Sequence, residues 1–286
     1  MRTLEVEGTE RRYLISVPGR EEPPDGWPLM LMLHGGGGSP ESFRSLSLMD
    51  IIGEREGFVT VYGDSLAVGW TAGEGSDPTG LAELPYLDAV LAEVRGRVPI
   101  NDQRMYVAGH SNGGEMAYVL VQNRPGVFAG MARVNSPLLV GFLDDSLEGC
   151  QHVLLFRGTA DPLVPIEGGE VADSGRIAAP FSDAFQWYGT EVGVSDLEPT
   201  VTQIPQVEPD DSTSTTKSVF GPSEKGSVLA LYLTQNGGHG WPGSPGGLPV
   251  SVIGITAQDF DASEEIWAFF EDKTLIESRV DGWRIY

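Results

Sequence analysis

The stretch Met105-Tyr106-Val107-Ala108-Gly109-His110-Ser111-Asn112-Gly113-Gly114-Glu115-Met116-Ala117-Tyr118 decides the fold of this 286-residue chain. It reads as an apolar strand, a glycine-rich turn and an apolar-periodic helix. In a Gly-x-Ser-x-Gly turn of this kind, strained backbone angles push the serine hydroxyl out above the sheet, because the glycines leave room that a Cβ would fill. The helix then directs its N-terminal amides at the same spot, which suits a developing oxyanion. Ser111 is therefore a candidate nucleophile, and a purely structural turn is the alternative.

Apolar strands and amphipathic helices alternate outside this stretch. Strands are predicted over 11–17, 29–33, 58–62, 131–135, 152–156, 200–204 and 228–234. Helices are predicted over 43–56, 81–97, 179–189 and 261–273. Loops are predicted over 63–80, 206–216 and 244–255, with a tail over 275–286. Such alternation predicts an α/β fold with a mostly parallel central sheet and helices on both faces. Because no repeat or linker is visible, we expect a single domain over 1–286.

Composition and charge exclude several classes of function. The 41 acidic and 18 basic residues give a net charge of −23, which repels phosphates and argues against nucleic-acid or anionic-membrane partners. No run approaches the roughly 20 apolar residues of a membrane span. Residues 1–8 are polar and acidic and show no secretory signal, which predicts either a cytoplasmic protein or a mature secreted form. The single cysteine, Cys150, cannot form an internal disulfide, and we expect a buried, inert thiol.

Two other polar residues follow predicted strands and complete a candidate catalytic set with Ser111. Asp161 comes after the strand at 152–156, and His239 comes after the strand at 228–234. The carboxyl ends of parallel strands share one edge of a sheet, so these three residues can meet there. In that arrangement His239 takes the proton of Ser111, while Asp161 fixes the imidazole tautomer and stabilises its charged form.

Each of these assignments has competitors. A lone histidine is more often a surface or core residue than a base, but glycines on both sides of His239 favour a functional loop. Of the other three histidines, His34 precedes a glycine loop and is expected to bond nearby backbone; His110 lies within the elbow, and His152 opens a strand. Asp161 is preferred for its place after a buried strand, ahead of four other acids: Asp144, Asp145, Asp183 and Asp196.

The glycine run at 35–38 is interpreted as an oxyanion loop. The amide near Gly36 would act with that of Asn112, the residue after the nucleophile. A phosphate-binding loop is the alternative, but no lysine follows the run as that motif requires. No metal-binding motif is visible, so neither a metal nor a cofactor is expected. Trp70 and Trp241 lie in glycine-rich loops at the same predicted edge of the sheet. They are interpreted either as an aromatic wall that binds the substrate or as structural residues.

Taken together, five segments of the chain resemble the bacterial polyhydroxybutyrate depolymerase and feruloyl-esterase-like group of α/β-hydrolases. The similarity covers about 11–270 and is carried by LMLMLHGGGGSPESF, YVAGHSNGGEMAY, RGTADPLVP, NGGHGWPG and FDASEEIWAFF. It implies a Ser111, Asp161, His239 triad and an oxyanion hole at Gly36 and Asn112, with no cofactor. One departure is Arg157, where family members commonly have histidine, so a contact at the active edge is expected to differ.

The resemblance implies a serine carboxylic-ester hydrolase that acts through an acyl-enzyme. Feruloyl, cinnamoyl or short-chain acyl (acetyl) esters, small or linked to oligosaccharides, are the favoured substrates, because two tryptophans lie at the active edge and no polymer-binding module is visible. One alternative is a depolymerase of hydroxyalkanoate oligomers. Another is transfer of the acyl group to an acceptor other than water. A third, from another class, is a catalytically silent hydrolase fold that binds a ligand.

Overall fold

A computed structural model describes residues 1–70, 72–74, 77–79, 81–147, 151–172, 174–207 and 211–276. The strands, in chain order, are β1 (Arg2–Val6), β2 (Thr9–Ser16), β3 (Trp27–Leu33), β4 (Val59–Gly63), β5 (Ala72–Glu74), β6 (Asp77–Thr79), β7 (Ile100–His110), β8 (Gly130–Val134), β9 (His152–Gly158), β10 (Gly169–Glu170), β11 (Ile177–Ala178), β12 (Thr200–Gln203), β13 (Ser214–Phe220) and β14 (Val228–Gln235). The α-helices are α1 (Pro40–Ser47), α2 (Met49–Glu56), α3 (Leu84–Arg97), α4 (Asn112–Asn123), α5 (Phe181–Val192), α6 (Val250–Ile253) and α7 (Ala262–Phe270).

Ten of these strands form one sheet in the order β1-β2-β4-β3-β7-β8-β9-β14-β13-β12. The six central strands, from β4 to β14 in this order, are all parallel to one another. The outer pairs, β1 with β2 and β12 with β13, join the sheet antiparallel. This arrangement confirms the mostly parallel sheet expected from the alternating pattern.

Side chains of the central strands alternate between two layers of core. In β3, Leu29, Leu31 and Leu33 pack into one layer, while Met30 and Met32 pack into the other. The first layer contains apolar residues of α3, α4 and α5, and the second contains those of α1, α2 and α7. Because both faces of a parallel sheet are covered, the strand reads as a continuous apolar run. Helices therefore cover both faces, as expected.

Some local elements differ from the sequence expectation. The single helix predicted over 43–56 is two helices, because Leu48 adopts a left-handed conformation with φ of 51° between them. The loop predicted over 206–216 ends in β13, whose polar sequence STTKSVF gives little apolar signal although it pairs with β14 along its length. Cys150 and most of the tail, 277–286, lie outside the described residues. No helix in the described part of the chain is long and apolar enough to cross a bilayer.

Candidate active site

Ser111 lies between the end of β7 and the start of α4, with a φ of 53° and a ψ of −124°. A positive φ is strained for a residue with a side chain, so the surrounding backbone must hold it. The two flanking glycines allow that packing: a Cβ on Gly109 would lie 2.2 Å from the carbonyl oxygen of Gly113, and one on Gly113 would lie 2.1 Å from that of Leu33. The turn therefore has the strained geometry that the sequence predicted for a nucleophile elbow.

Asp161 and His239 are brought together from loops that follow β9 and β14. The Nδ1 of His239 lies 2.7 Å from Oδ2 of Asp161, and both side chains are almost fully buried. The second oxygen, Oδ1, accepts the amides of Leu163 and Val164, each at 2.9 Å. With Nδ1 as the donor to the carboxylate, Nε2 of His239 is left as an acceptor, which is the tautomer a general base needs. His239 lines the same pocket as Ser111.

A buried arginine, Arg157, also contacts the Asp161 carboxylate. Its Nη1 donates to Oδ2 of Asp161 at 3.1 Å, and its Nη2 donates to the carbonyl oxygen of Val164. Burial alone would raise the pKa of Asp161, but the hydrogen bond from His239 and the charges of His239 and Arg157 outweigh it. The pKa of Asp161 is therefore below its ordinary value, and the carboxylate is ionised at neutral pH.

Two polar side chains that the sequence reasoning did not assign to the site hold the His239 loop in place. His110 lies with its Nε2 2.7 Å from the carbonyl oxygen of His239. Burial, followed by the charge of His239, lowers the pKa of His110 to about 4, so it is a neutral donor at neutral pH. Asn135 donates to the carbonyl oxygen of Gly240 at 2.7 Å and accepts the amide of Gly158 at 3.0 Å. Asn135 has a positive φ of 46°, which asparagine tolerates better than most residues, and its sequence context alone did not indicate this role.

The glycine loop that follows β3 forms another wall of the pocket, which Gly36 lines together with Asn112. His34 fixes the start of the loop, since its Nδ1 lies 2.8 Å from the carbonyl oxygen of Gly35 while its Nε2 accepts the amide of Ser65 at 3.2 Å. This is the backbone contact expected for His34 from the sequence. Asn112 is the first residue of α4, where a helix leaves its amides without intrahelical partners. Both expected oxyanion-hole residues thus lie at the pocket beside Ser111.

Trp70 does not lie in the pocket, so its predicted substrate-binding role requires correction. Its side chain has no exposed surface and packs against His34 and Tyr86. The indole Nε1 donates to the carbonyl oxygen of His34 at 2.9 Å, and the backbone amide donates to Oδ1 of Asn112 at 2.7 Å. The 64–70 loop folds back beneath the glycine loop, which places the indole in the core. Trp70 therefore connects the two segments that carry Gly36 and Asn112.

We expect replacement of Trp70 by phenylalanine to destabilise the fold without changing substrate preference. The variant leaves the buried carbonyl of His34 without its donor, which costs about 1–3 kcal/mol in the free energy of unfolding. The measurement is urea unfolding, together with kcat/KM for an aryl and an alkyl ester. A change in the ratio of the two kcat/KM values without loss of stability would restore Trp70 to the substrate site.

Trp241, in contrast, lines the pocket, which has a volume of about 780 Å³. Its ring meets His110 and Phe43 edge to face, and its Nε1 donates to Oγ of Ser263 at 3.1 Å. Only 1% of the residue is exposed, so the fixed ring borders the cavity with very little accessible surface. The other apolar residues of the lining are Phe43, Leu46, Leu163, Val164, Val171, Ala172, Pro245, Leu248 and Ile253. An apolar lining with few polar groups suits an acyl or aryl group.

A buried ion pair joins the elbow helix to the opposite wall of the pocket. Arg176, which precedes β11, places Nη1 2.6 Å from both carboxylate oxygens of Glu115 in the first turn of α4. Glu115 also accepts a hydrogen bond from Nδ2 of Asn112 at 3.1 Å. Burial raises the pKa of Glu115 to about 7, although the charge and hydrogen bonds of Arg176 oppose this. The pair therefore fixes the wall, but its carboxyl group titrates near neutral pH.

The raised pKa of Glu115 predicts a pH-dependent stability. The folded state retains the proton up to about pH 7 and the unfolded state only to about 4.5, so stability contributed by this group is lost as the pH rises between these values. The wild-type protein should therefore lose about 3 kcal/mol, relative to a Glu115→Gln variant, between pH 4.5 and pH 8. Urea unfolding of both proteins across this range measures the difference. The exposed Glu22→Gln variant is the control, and a pH-independent difference for Glu115→Gln would contradict the assignment.

The described residues include no group of three or more His, Cys, Asp or Glu side chains placed to hold a metal ion. Instead, Ser111, His239, Gly36 and Asn112 line one apolar pocket at the carboxyl ends of parallel strands, and Asp161 contacts His239 there.

Comparison with known proteins supports an α/β-hydrolase fold. The acetyl xylan esterase from Aspergillus awamori superimposes with a TM-score of 0.61 at 10% identity, over 91% of this chain and 93% of that one. In sequence, the chain is 29% identical over 281 residues to "Putative esterase NocK" from Nocardia uniformis subsp. tsuyamanensis, which covers 92% of this chain and 80% of the relative. It is also 26% identical over 164 residues to "Probable feruloyl esterase C" from Aspergillus terreus, covering 56% of this chain and 58% of the relative. No family model matches the chain.

The fold is thus that of an α/β-hydrolase, as the alternating sequence pattern and the elbow predicted. The similarity to proteins named as esterases supports, more narrowly, a carboxylic ester hydrolase.

Proposed function

We propose that this protein is a serine carboxylic-ester hydrolase in which Ser111 forms an acyl-enzyme. The observation that carries the proposal is the buried 2.7 Å contact between Asp161 and His239, at the pocket that Ser111 lines. His239 takes the proton of the serine hydroxyl as Oγ attacks the ester carbonyl, and later delivers it to the leaving alcohol. Asp161 stabilises the imidazolium that forms in each step. Water, activated by His239, then releases the acid.

The amides of Gly36 and Asn112 stabilise the tetrahedral intermediate in this proposal. Charge develops on the carbonyl oxygen of the ester as Ser111 attacks, and donors fixed in advance at that position lower the barrier. Gly37 supports the loop by donating its amide to the carbonyl oxygen of Val68 at 2.5 Å. The helix dipole of α4 adds a positive potential at the same end. The hole is therefore held by the Trp70 contacts and by α4, and not by the substrate.

The substrate class we propose is a feruloyl or cinnamoyl ester, or a short-chain acyl ester such as acetyl. Trp241 and the aliphatic residues of the lining support an acyl group with an apolar body, and the resemblance to feruloyl esterases supports the same class. Arg176, the one arginine among the described residues of the lining, is already held by Glu115. An uncharged acyl group thus suits this pocket better than an anionic one.

Initial rates over a panel of esters test the substrate class. The panel consists of p-nitrophenyl acetate, butyrate and octanoate, methyl ferulate, acetylated xylan and a hydroxybutyrate oligomer. We expect methyl ferulate or the acetyl esters to be fastest. A faster hydroxybutyrate oligomer would move the assignment to a hydroxyalkanoate depolymerase, whose motifs the sequence also resembles. Background rates on every ester would instead favour a catalytically silent binding protein.

A Trp241→Phe variant tests the role assigned to this ring within the pocket. The smaller ring leaves unfilled space beside the acyl group and removes the hydrogen bond to Ser263. We expect KM for methyl ferulate to rise about fivefold, since lost apolar contact weakens binding by about 1 kcal/mol, with a smaller change for p-nitrophenyl acetate. An equal change in KM for both esters would argue that Trp241 is structural only.

A further inference from the structure

Arg157, at the end of β9, places a fixed positive charge against the acid of the proposed triad. It is 3% exposed, and its guanidinium carbon lies 5.9 Å from the centre of the Phe181 ring. Its Nη1 donates at 3.1 Å to Oδ2 of Asp161, which is the oxygen that also faces Nδ1 of His239 at 2.7 Å. Arginine remains protonated even when it is buried. The histidine and the arginine therefore share one carboxylate oxygen.

This contact completes the hydrogen bonding of Asp161. Two backbone amides, those of Leu163 and Val164, bind Oδ1, while Arg157 and His239 bind Oδ2. Arg157 is anchored in turn by the carbonyl oxygen of Val164. A carboxylate held by four donors cannot rotate without breaking several of these bonds. The orientation of Oδ2 toward His239 is thus set before any substrate binds.

The charge of Arg157 lies at the same carboxylate oxygen as the imidazole of His239. The guanidinium and a protonated imidazole would be two positive charges at one carboxylate oxygen. Because like charges repel, the guanidinium opposes a positive charge on the imidazole. His110, whose ring centre is 5.0 Å from that of His239, is neutral, and Arg133 acts on Arg157 from the neighbouring strand. Arg176 lines the pocket but is paired with Glu115. Arg157 is thus the cation in direct contact with the Asp161–His239 pair.

We propose that Arg157 is a positioning residue that holds Asp161 against His239 and, through the oxygen they share, keeps the base free of a proton to a lower pH than the same pair without the arginine. The proposal rests on the ester hydrolysis proposed above. It gives this buried arginine a role in the pH range over which the enzyme works.

The test is the pH dependence of kcat/KM for p-nitrophenyl acetate in the wild-type protein, Arg157→Gln and Arg157→Lys. Removal of the charge should move the acid limb of the profile upward by about one pH unit, because protonation of His239 is no longer opposed. Lysine retains the charge and should leave the limb where it is in the wild type. A merely structural role would lower the rate by one factor at every pH and leave the limb in place.

Circular dichroism and melting temperature establish which variants are folded. If Arg157→Gln does not fold, Arg157→Met fills the space beside Phe181 without a charge, and the same upward shift is expected. An unmoved limb in the folded uncharged variant, or an equal shift in Arg157→Lys, overturns the proposal. Failure of the proposed function itself is distinguishable, because the wild-type protein would then neither hydrolyse the ester nor react with a fluorophosphonate.

Discussion

Replacement of Ser111 by alanine is expected to lower kcat for the fastest ester by about 10³-fold or more, with little change in stability. The variant removes the atom that attacks the carbonyl, so the acyl-enzyme cannot form and only binding and the oxyanion hole remain. Relief of the strained φ of 53° is not expected, because alanine meets the same backbone restraint. Initial rates at saturating ester, with the melting temperature as a check on folding, measure the effect.

Ser45→Ala is the matched control for this experiment. Ser45 also lines the pocket, on α1, and its hydroxyl donates to the carbonyl oxygen of Glu41 at 3.0 Å. We expect its kcat to stay within about threefold of the wild type. Retention of most of the activity in Ser111→Ala, with the control unchanged, would remove the serine from the mechanism.

Replacement of Asp161 by asparagine should cost about 10³- to 10⁴-fold in kcat while KM changes much less. The amide can donate to Nδ1 of His239, which would then carry its proton on Nε2 and could no longer accept one from Ser111. The variant also leaves Arg157 buried beside a neutral group, so some loss of stability is expected as well. Steady-state kinetics and urea unfolding measure the two effects separately.

Asp183→Asn serves as the control, because Asp183 was a competing acid in the sequence and is exposed on α5. Its kcat should match that of the wild type. Were Asp183→Asn impaired and Asp161→Asn active, the triad would have been assigned to the wrong carboxylate. Comparable losses in both variants would point to a general effect of charge instead of a specific partner for His239.

Sequence reasoning predicted the features that depend on local pattern. Strand alternation predicted the parallel sheet, and the glycine spacing around Ser111 predicted a turn in which added Cβ atoms would clash with Gly113 and Leu33. Asp161 and His239 could be expected to meet because both follow central strands, β9 and β14, which are neighbours in the sheet. These predictions rest on periodicity and on sheet topology, which a single sequence carries.

Other features depend on where side chains turn within the folded chain, and the sequence holds little signal for them. Trp70 lies in a loop whose return beneath His34, 36 positions earlier, follows from no local pattern. The Arg157 guanidinium could have faced solvent or either core layer, and its contacts with Val164 and Phe181 in the folded chain direct it at Asp161. In the same way, β13 is polar enough to read as a loop and is recognised only by its pairing with β14.

Covalent labelling tests the central claim most directly. The protein is treated with a fluorophosphonate at neutral pH, and the modified residue is located by peptide mass spectrometry in the wild type, Ser111→Ala and His239→Gln. The account predicts one adduct, on Ser111, that is absent in Ser111→Ala and forms far more slowly in His239→Gln. An unlabelled wild-type protein, or labelling that persists in Ser111→Ala, would contradict a serine nucleophile at this elbow.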